Sequence, residues 1–158
     1  MRIKHHRLQV RLSQYHQRWV YGMAATLWLS GVGWLFFHYL MAAPNQFGDA
    51  HHPSEAWWLK VHGASAMGFL IVLGSLLPIH ISLAWRLRKN RGSGLLMVIV
   101  FGVLIITGYG LYYLGDEQIR PWISLIHWLI GIAVSIFFPL HVWLGKKPKA
   151  KSTYLNIK

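Results

Sequence analysis

The chain has 158 residues, 54% of them hydrophobic and only 13% charged, with 9 Trp, no cysteine and a formal net charge of +12. An ordinary soluble domain carries about 25% charged residues, so this composition excludes that class. The lack of cysteine excludes disulfides, thiolate metal sites and the covalent attachment used by c-type haem.

A basic segment, residues 1–18, comes first. Four apolar runs follow, and they predict membrane spans at about 19–43, 57–85, 95–114 and 122–144. Each is long enough to cross about 30 Å of hydrocarbon as a helix. The first run is not a cleaved signal peptide. It is too long, it follows a polar stretch, and "MAAPNQFG" is a poor cleavage site. The second run holds Pro78, which predicts a kink. Trp19, Tyr39, Trp57, Trp58, Trp85, Tyr112, Tyr113, Trp122 and Trp143 fall at the run ends, where an interfacial belt needs them. A basic tail, 146–158, closes the chain. The expected fold is all-α: one integral membrane up-down four-helix bundle over 19–145.

Charge sets the expected orientation. Fourteen of the 16 basic residues lie before the first run, between the second and third, or after the fourth. The other two segments hold only Lys60 and Arg120, with all four acids, Asp49, Glu55, Asp116 and Glu117. The positive-inside rule therefore puts both termini and the middle loop in the cytoplasm. The protein is expected to be multi-pass in a cytoplasmic (inner) membrane. Its basic residues flank lipid spans rather than forming one face, so anionic lipid headgroups are the expected partner and nucleic acid is not.

The histidines carry the chemistry. Ionisable residues inside a span are costly and rarely idle. His62 and His80 lie on the second run, His127 and His141 on the fourth. Their separations of 18 and 14 residues are close to whole turns, about 27 and 21 Å of helix, so each pair shares a helix face. The second and fourth helices of an up-down bundle are parallel and diagonal. The pattern then gives an outer pair, His62 with His127, and an inner pair, His80 with His141. Two imidazoles approaching one point from opposite sides suit the axial positions of a haem iron, and bundle cores hold cofactors in this way. Two non-covalent haem b groups are expected. Gly63, Gly68, Gly74, Gly102, Gly108 and Gly131 are candidates for giving them room. Arg18 and Arg86 stand where they can pair with inner haem propionates, Lys60 and Arg120 where they can do so outside.

Two rivals stay open. His16, at inner depth, and His38, near the outer end of the first span, can each replace a ligand, hydrogen-bond a propionate or sit wet at the interface, and the last is favoured. His5, His6, His51 and His52 are read as surface residues, and the four acids as solvated loop charges.

The stretches "WWLKVHGASAMGFLIVLGSLLPIHISLAWRLRKN", "TGYGLYYLGDE" and "ISLIHWLIGIAVSIFFPLHVWLG" resemble the small bacterial four-helix cytochromes b encoded near periplasmic flavinylated proteins, the flavinylation-associated cytochrome family. More loosely they resemble the four-helix core of larger di-haem cytochromes b. The likeness spans about residues 15 to 145. It implies b-type haem on His62, His80, His127 and His141, and electron transfer across the membrane between the quinone pool or a cytoplasmic-side donor and a periplasmic redox partner. It leaves open whether the chain itself oxidises quinol or reduces quinone, or serves as a subunit of a larger membrane complex. The larger relatives space the two histidines nearly equally on both helices, whereas here the spacing is 18 against 14, so His16 remains a rival to His80. The sequence has no flavin-attachment motif outside the spans, so any flavin belongs to a partner. Two alternatives remain: a haem-free scaffold subunit, and a small transporter with a histidine relay. The predicted spans contain no Asp or Glu, which counts against the relay.

Overall fold

A computed structural model describes residues 12–45, 48–50, 52–88 and 90–146. His5, His6, His51, Lys89, the basic residues before Leu12 and the tail beyond Lys146 lie outside them. Helix α1 spans Gln14–Leu40. A short antiparallel hairpin follows, β1 (Ala43–Asn45) with β2 (Gly48–Ala50), Ala43 paired with Ala50. Helix α2 runs Pro53–Leu76, a π-helical turn covers Leu77–Ile81, and α3 completes the span over Ser82–Arg86. Helices α4 (Arg91–Tyr113) and α5 (Arg120–Lys146) complete the chain. Four helices, α1, α2, α4 and α5, are long and apolar enough to cross a membrane, so this is a multi-pass membrane protein.

The helix ends are set by short polar devices. Ser13 caps α1 by accepting from the His16 amide. At α2, Pro53 occupies the first turn, where its missing N–H costs nothing, and His52 Nδ1 accepts from the Ser54 amide at 3.2 Å. Before α5, the Asp116 carboxylate accepts from the amides of Gln118 and Ile119 at 2.8 and 2.9 Å. Between α3 and α4 the chain turns through positive φ at Arg88 and Asn90. The Arg91 guanidinium lies over Trp85 and donates twice to the Trp85 carbonyl, closing the end of α3.

The second span, expected over about 57–85 with a kink at Pro78, is a helix that changes form there. It starts at Pro53, and at Pro78 the ladder widens: Ser82 N–H reaches Leu77 O, five residues back. Proline lacks an N–H and crowds the carbonyl four residues earlier, and a π-turn relieves both. The helix that carries the first expected span, about 19–43, runs Gln14–Leu40.

The helices run alternately up and down. His38 meets Glu55 and His16 meets Ser75, so α1 and α2 are antiparallel. Thr107 meets His127 and Ser93 meets His141, so α4 and α5 are too. Tyr21 against Phe138 joins α1 to α5, and Phe69 against Phe101 joins α2 to α4. Spans two and four are left on a diagonal, as the sequence predicts. Few side chains are buried outright. Among the described residues only Val20, Phe69, Met97 and Val100 are buried apolar side chains, with Ser30 and Ser65 as buried polar ones. A bundle packed by its own side chains buries a stripe along every helix.

Candidate haem-ligand pairs in the bundle

The diagonal helices meet through their histidines. The rings of His62 on α2 and His127 on α5 have centroids 6.2 Å apart and planes at 87°. His80, within the π-turn, and His141 on α5 repeat this at 6.3 Å and 88°. The π-turn takes up an extra residue, which absorbs part of the mismatch between spacings of 18 and 14. All four rings are half-buried.

Hydrogen bonds orient the rings of His62, His127 and His141. His62 Nδ1 lies 3.1 Å from both Leu27 O and Ser30 Oγ. The carbonyl can only accept, and the Ser30 hydroxyl already donates to Leu27 O. Nδ1–H is therefore the donor, and the lone pair sits on Nε2. His127 Nδ1 lies 2.9 Å from Thr107 Oγ1, whose hydroxyl donates to Val103 O. His141 Nδ1 lies 3.1 Å from Ser93 Oγ, whose hydroxyl donates to Asn90 O. Both hydroxyl oxygens can accept from Nδ1–H in the same tautomer. An imidazole tied back at Nδ1 with its Nε2 lone pair presented is the usual arrangement of a metal-ligating histidine.

Glycine sets the ring positions near the hairpin end. A Cβ on Gly31 would lie 3.1 Å from Cε1 of His62, and one on Gly108 would lie 3.2 Å from Cε1 of His127. The first and third spans thus present the same device, a hydroxyl residue followed by glycine, Ser30-Gly31 and Thr107-Gly108. Sequence reasoning missed Ser30, Gly31, Thr107 and Ser93 as supports. The one legible signal was this repeated dipeptide. Of the other glycines expected to make room, Gly68 receives the Met23 side chain and so serves helix packing, and Gly63 lies under the Tyr112 hydroxyl. A Cβ on Gly74, Gly102 or Gly131 would meet nothing within 4 Å.

Neither rival ring joins a pair. His16 Nε2 lies 2.9 Å from Ser75 Oγ on α2. His38 Nδ1 lies 2.8 Å from Glu55 Oε1, and its ring stacks on Trp34. Glu55 is a correction. It was expected among the solvated loop charges and outside every span, yet it sits in the first turn of α2 with its side chain 15% exposed. The cause is the earlier start of α2, which carries Glu55 under α1. His52 is likewise more than a surface residue, since its ring stacks on Phe37 at 4.9 Å while it caps α2. Arg18, Arg86, Lys60 and Arg120 are exposed at the span ends, with Lys60 5.6 Å over the Trp57 ring.

Among the described residues no three of His, Cys, Asp and Glu gather as a metal-binding group, so each constellation is a pair. Two buried donors, Trp28 Nε1 and Trp34 Nε1, have no acceptor within the described protein. Buried polar groups are seldom left so. Comparison with family models, curated proteins and solved structures returned no match to the chain.

Proposed function

We propose that the chain is a di-haem b-type cytochrome that passes electrons across the membrane, of the small four-helix kind its sequence resembles. The spacing of the histidine pairs carries this reading. A metal–imidazole bond of about 2.0–2.1 Å, with the ring nitrogen about 1.2 Å from the ring centre, puts two imidazoles on one metal about 6.4–6.6 Å apart. The two pairs stand at 6.2 and 6.3 Å. A direct N–H···N hydrogen bond of about 2.9 Å would bring the centres to about 5.3 Å, so the spacing suits a shared metal better than a direct bond between the two rings; the interhelical bonds of His62, His127 and His141 are also what a haem-free scaffold would use. The donor set also fits: two imidazoles per site, with His62, His127 and His141 held from behind at Nδ1, in an apolar bundle.

His62 and His127 would hold one haem and His80 and His141 the other. When bound, haem supplies a one-electron couple whose potential follows its axial ligands, its burial and the charge around it. The chain's own residues do the rest. Ser30, Leu27, Thr107 and Ser93 hold the imidazoles in one tautomer and raise their basicity. Gly31 and Gly108 let the rings lie close against the neighbouring helices. The apolar helix faces exclude water. Arg18 and Arg86 at one end, with Lys60 and Arg120 at the other, can neutralise propionates. The charge distribution supports placing the termini in the cytoplasm of a bacterial cell. In that orientation His62 and His127 serve the periplasmic side, where a redox protein, flavinylated in the resemblance, would exchange electrons with them.

The test is optical. The purified protein should give a reduced-minus-oxidised b-type spectrum and two protohaems per chain in pyridine. A colourless preparation from haem-replete cells would overturn the reading.

A further inference from the structure

The two halves of the bundle repeat one pattern. Residues 27–33 of α1, "LWLSGVG", and 104–110 of α4, "LIITGYG", carry a leucine, a hydroxyl residue and two glycines at the same spacing, 77 residues apart. The match extends to contacts. Ser30 Oγ donates to Leu27 O at 2.9 Å, and Thr107 Oγ1 lies 3.3 Å from Leu104 O. Gly31 lies against the His62 ring and Gly108 against the His127 ring. Val20 and Met97, also 77 residues apart, are both buried. The partner helices match at an offset of 65, Trp57 with Trp122 and His62 with His127.

The second glycine of each motif lies against the residue one turn ahead of a paired histidine. A Cβ on Gly33 would stand 2.7 Å from Cδ2 and Cε3 of Trp58, and one on Gly110 would stand 3.8 Å from Cδ1 and Cγ2 of Ile123. Trp58 and Ile123 each precede their histidine by four residues, so each shares its helix face. The indole of Trp58 is rigid, and Phe37 lies along it with centroids 6.4 Å apart at 23°, which limits its retreat. Small residues let membrane helices approach closely, and here the approach comes one turn from a histidine of the pair. The repeat breaks at the other end. His16 stands where the second half has Ser93, and Leu76 where it has His141. His16 bonds to Ser75, the neighbour of Leu76. The paired histidine of this half lies one turn further on, at His80 in the π-turn. That single displacement is the difference between spacings of 18 and 14.

We infer that the chain is a duplicated helical hairpin, α1–α2 and α4–α5, and that the second glycine of each copy is a positioning residue for its histidine: Gly33 seats Trp58 and through it His62, and Gly110 seats Ile123 and through it His127. The inference rests on the di-haem reading for the group these histidines hold. The copies share one up-down order, which suits a repeat axis along the membrane normal. Equivalent residues of the two copies then meet at the hairpin-end pair. The copies differ in how much they need the glycine. A methyl on Gly33 would lie well inside contact distance of a held indole, so α2 must move off α1 and carry His62 with it. A methyl on Gly110 meets Ile123 at an ordinary contact distance, so His127 keeps its place.

The test is a cycle of full-chain variants in detergent: Gly33→Ala, Trp58→Ile, the two together, and Gly110→Ala. Trp58→Ile gives the first copy the isoleucine of the second. Gly33→Ala should weaken one of two haem sites about tenfold and turn that haem from low-spin to high-spin in the ferric EPR spectrum. Trp58→Ile and Gly110→Ala should each keep two low-spin haems, and the double variant should regain what Gly33→Ala loses. Where Gly33→Ala does not accumulate, the double variant carries the test and must accumulate with two haems. Ile123→Trp carries the lock to the second copy. It should be tolerated beside Gly110 and lose one haem when joined to Gly110→Ala; equal haem content in those two overturns the duplication. Melting of the same proteins from haem-starved cells reads the contact without the cofactor. The fall in Tm caused by Gly33→Ala should vanish in the Trp58→Ile background. A colourless parent that shows this coupling defeats the cytochrome and keeps the repeated contact. A haem-loaded Gly33→Ala with two low-spin haems, or a double variant no better than Gly33→Ala, overturns the positioning role.

Discussion

His80 and His141 stand 6.3 Å apart with perpendicular rings, although they belong to helices whose histidines are spaced differently along the chain. The π-turn at Pro78 makes this meeting compatible with the 6.2 Å meeting of His62 and His127. Because each pair spans the bundle diagonal, loss of either ring should empty one site and spare the other.

His127→Ala and His62→Ala are therefore expected to behave alike, each leaving one haem per chain. His141→Ala and His80→Ala should form the second matching set. His16→Ala, whose ring is bonded to Ser75, should retain both haems. Pyridine haemochrome counts on the five variants check this. A chain that loses its second haem with His16→Ala but keeps it with His80→Ala would move that ligand to α1.

Gly31 and Gly108 are expected to tolerate alanine poorly. The added methyl would stand 3.1 or 3.2 Å from an imidazole carbon, and the ring must retreat by a few tenths of an ångström. Gly31→Ala should weaken haem retention at the hairpin-end site about tenfold, the lower range for a disturbed support of a metal ligand. Gly31→Leu should abolish that site. Gly74→Ala, where a Cβ meets nothing within 4 Å, is the control and should bind haem normally. Haem titration of apoprotein measures all three.

Thr107→Val keeps the shape of the side chain and removes the oxygen that accepts from His127 Nδ1–H. The imidazole loses basicity, which disfavours the ferric state. The midpoint potential of one haem should rise, on the order of tens of millivolts. The unpaired Nδ1–H should also cost about 1–3 kcal/mol of stability. A redox titration that resolves both haems should show one shifted and one unchanged.

Topology follows from the basic flanks. A reporter fused after Lys158 or inserted beside Asn90 should be active only on the cytoplasmic side. A reporter between Pro44 and Asp49 should be active only on the opposite side. Any reversed signal would overturn the charge argument for the orientation.

Much of the molecule was legible in the sequence, because it follows from local composition. Lipid demands about 20 apolar residues per helix, so four runs mean four spans. A helical period of 3.6 puts His62 with His80, and His127 with His141, on shared faces. Which side chains stand behind those rings is a matter of contact between helices far apart in sequence. Ser30 lies 32 residues from His62, and Ser93 lies 48 from His141. Such partners leave only a faint local trace, the repeated hydroxyl–glycine dipeptide. The same limit applied to Glu55. Read locally it is a charge in an acidic loop, and only the start of α2 at Pro53 and the packing of α1 beside it bring its carboxylate to His38. Pro78 shows both sides. The sequence announced a break in the helix. The break took the form of a π-turn, and it is the packed bundle that brings His80 to His141 and leaves His16 bonded to Ser75.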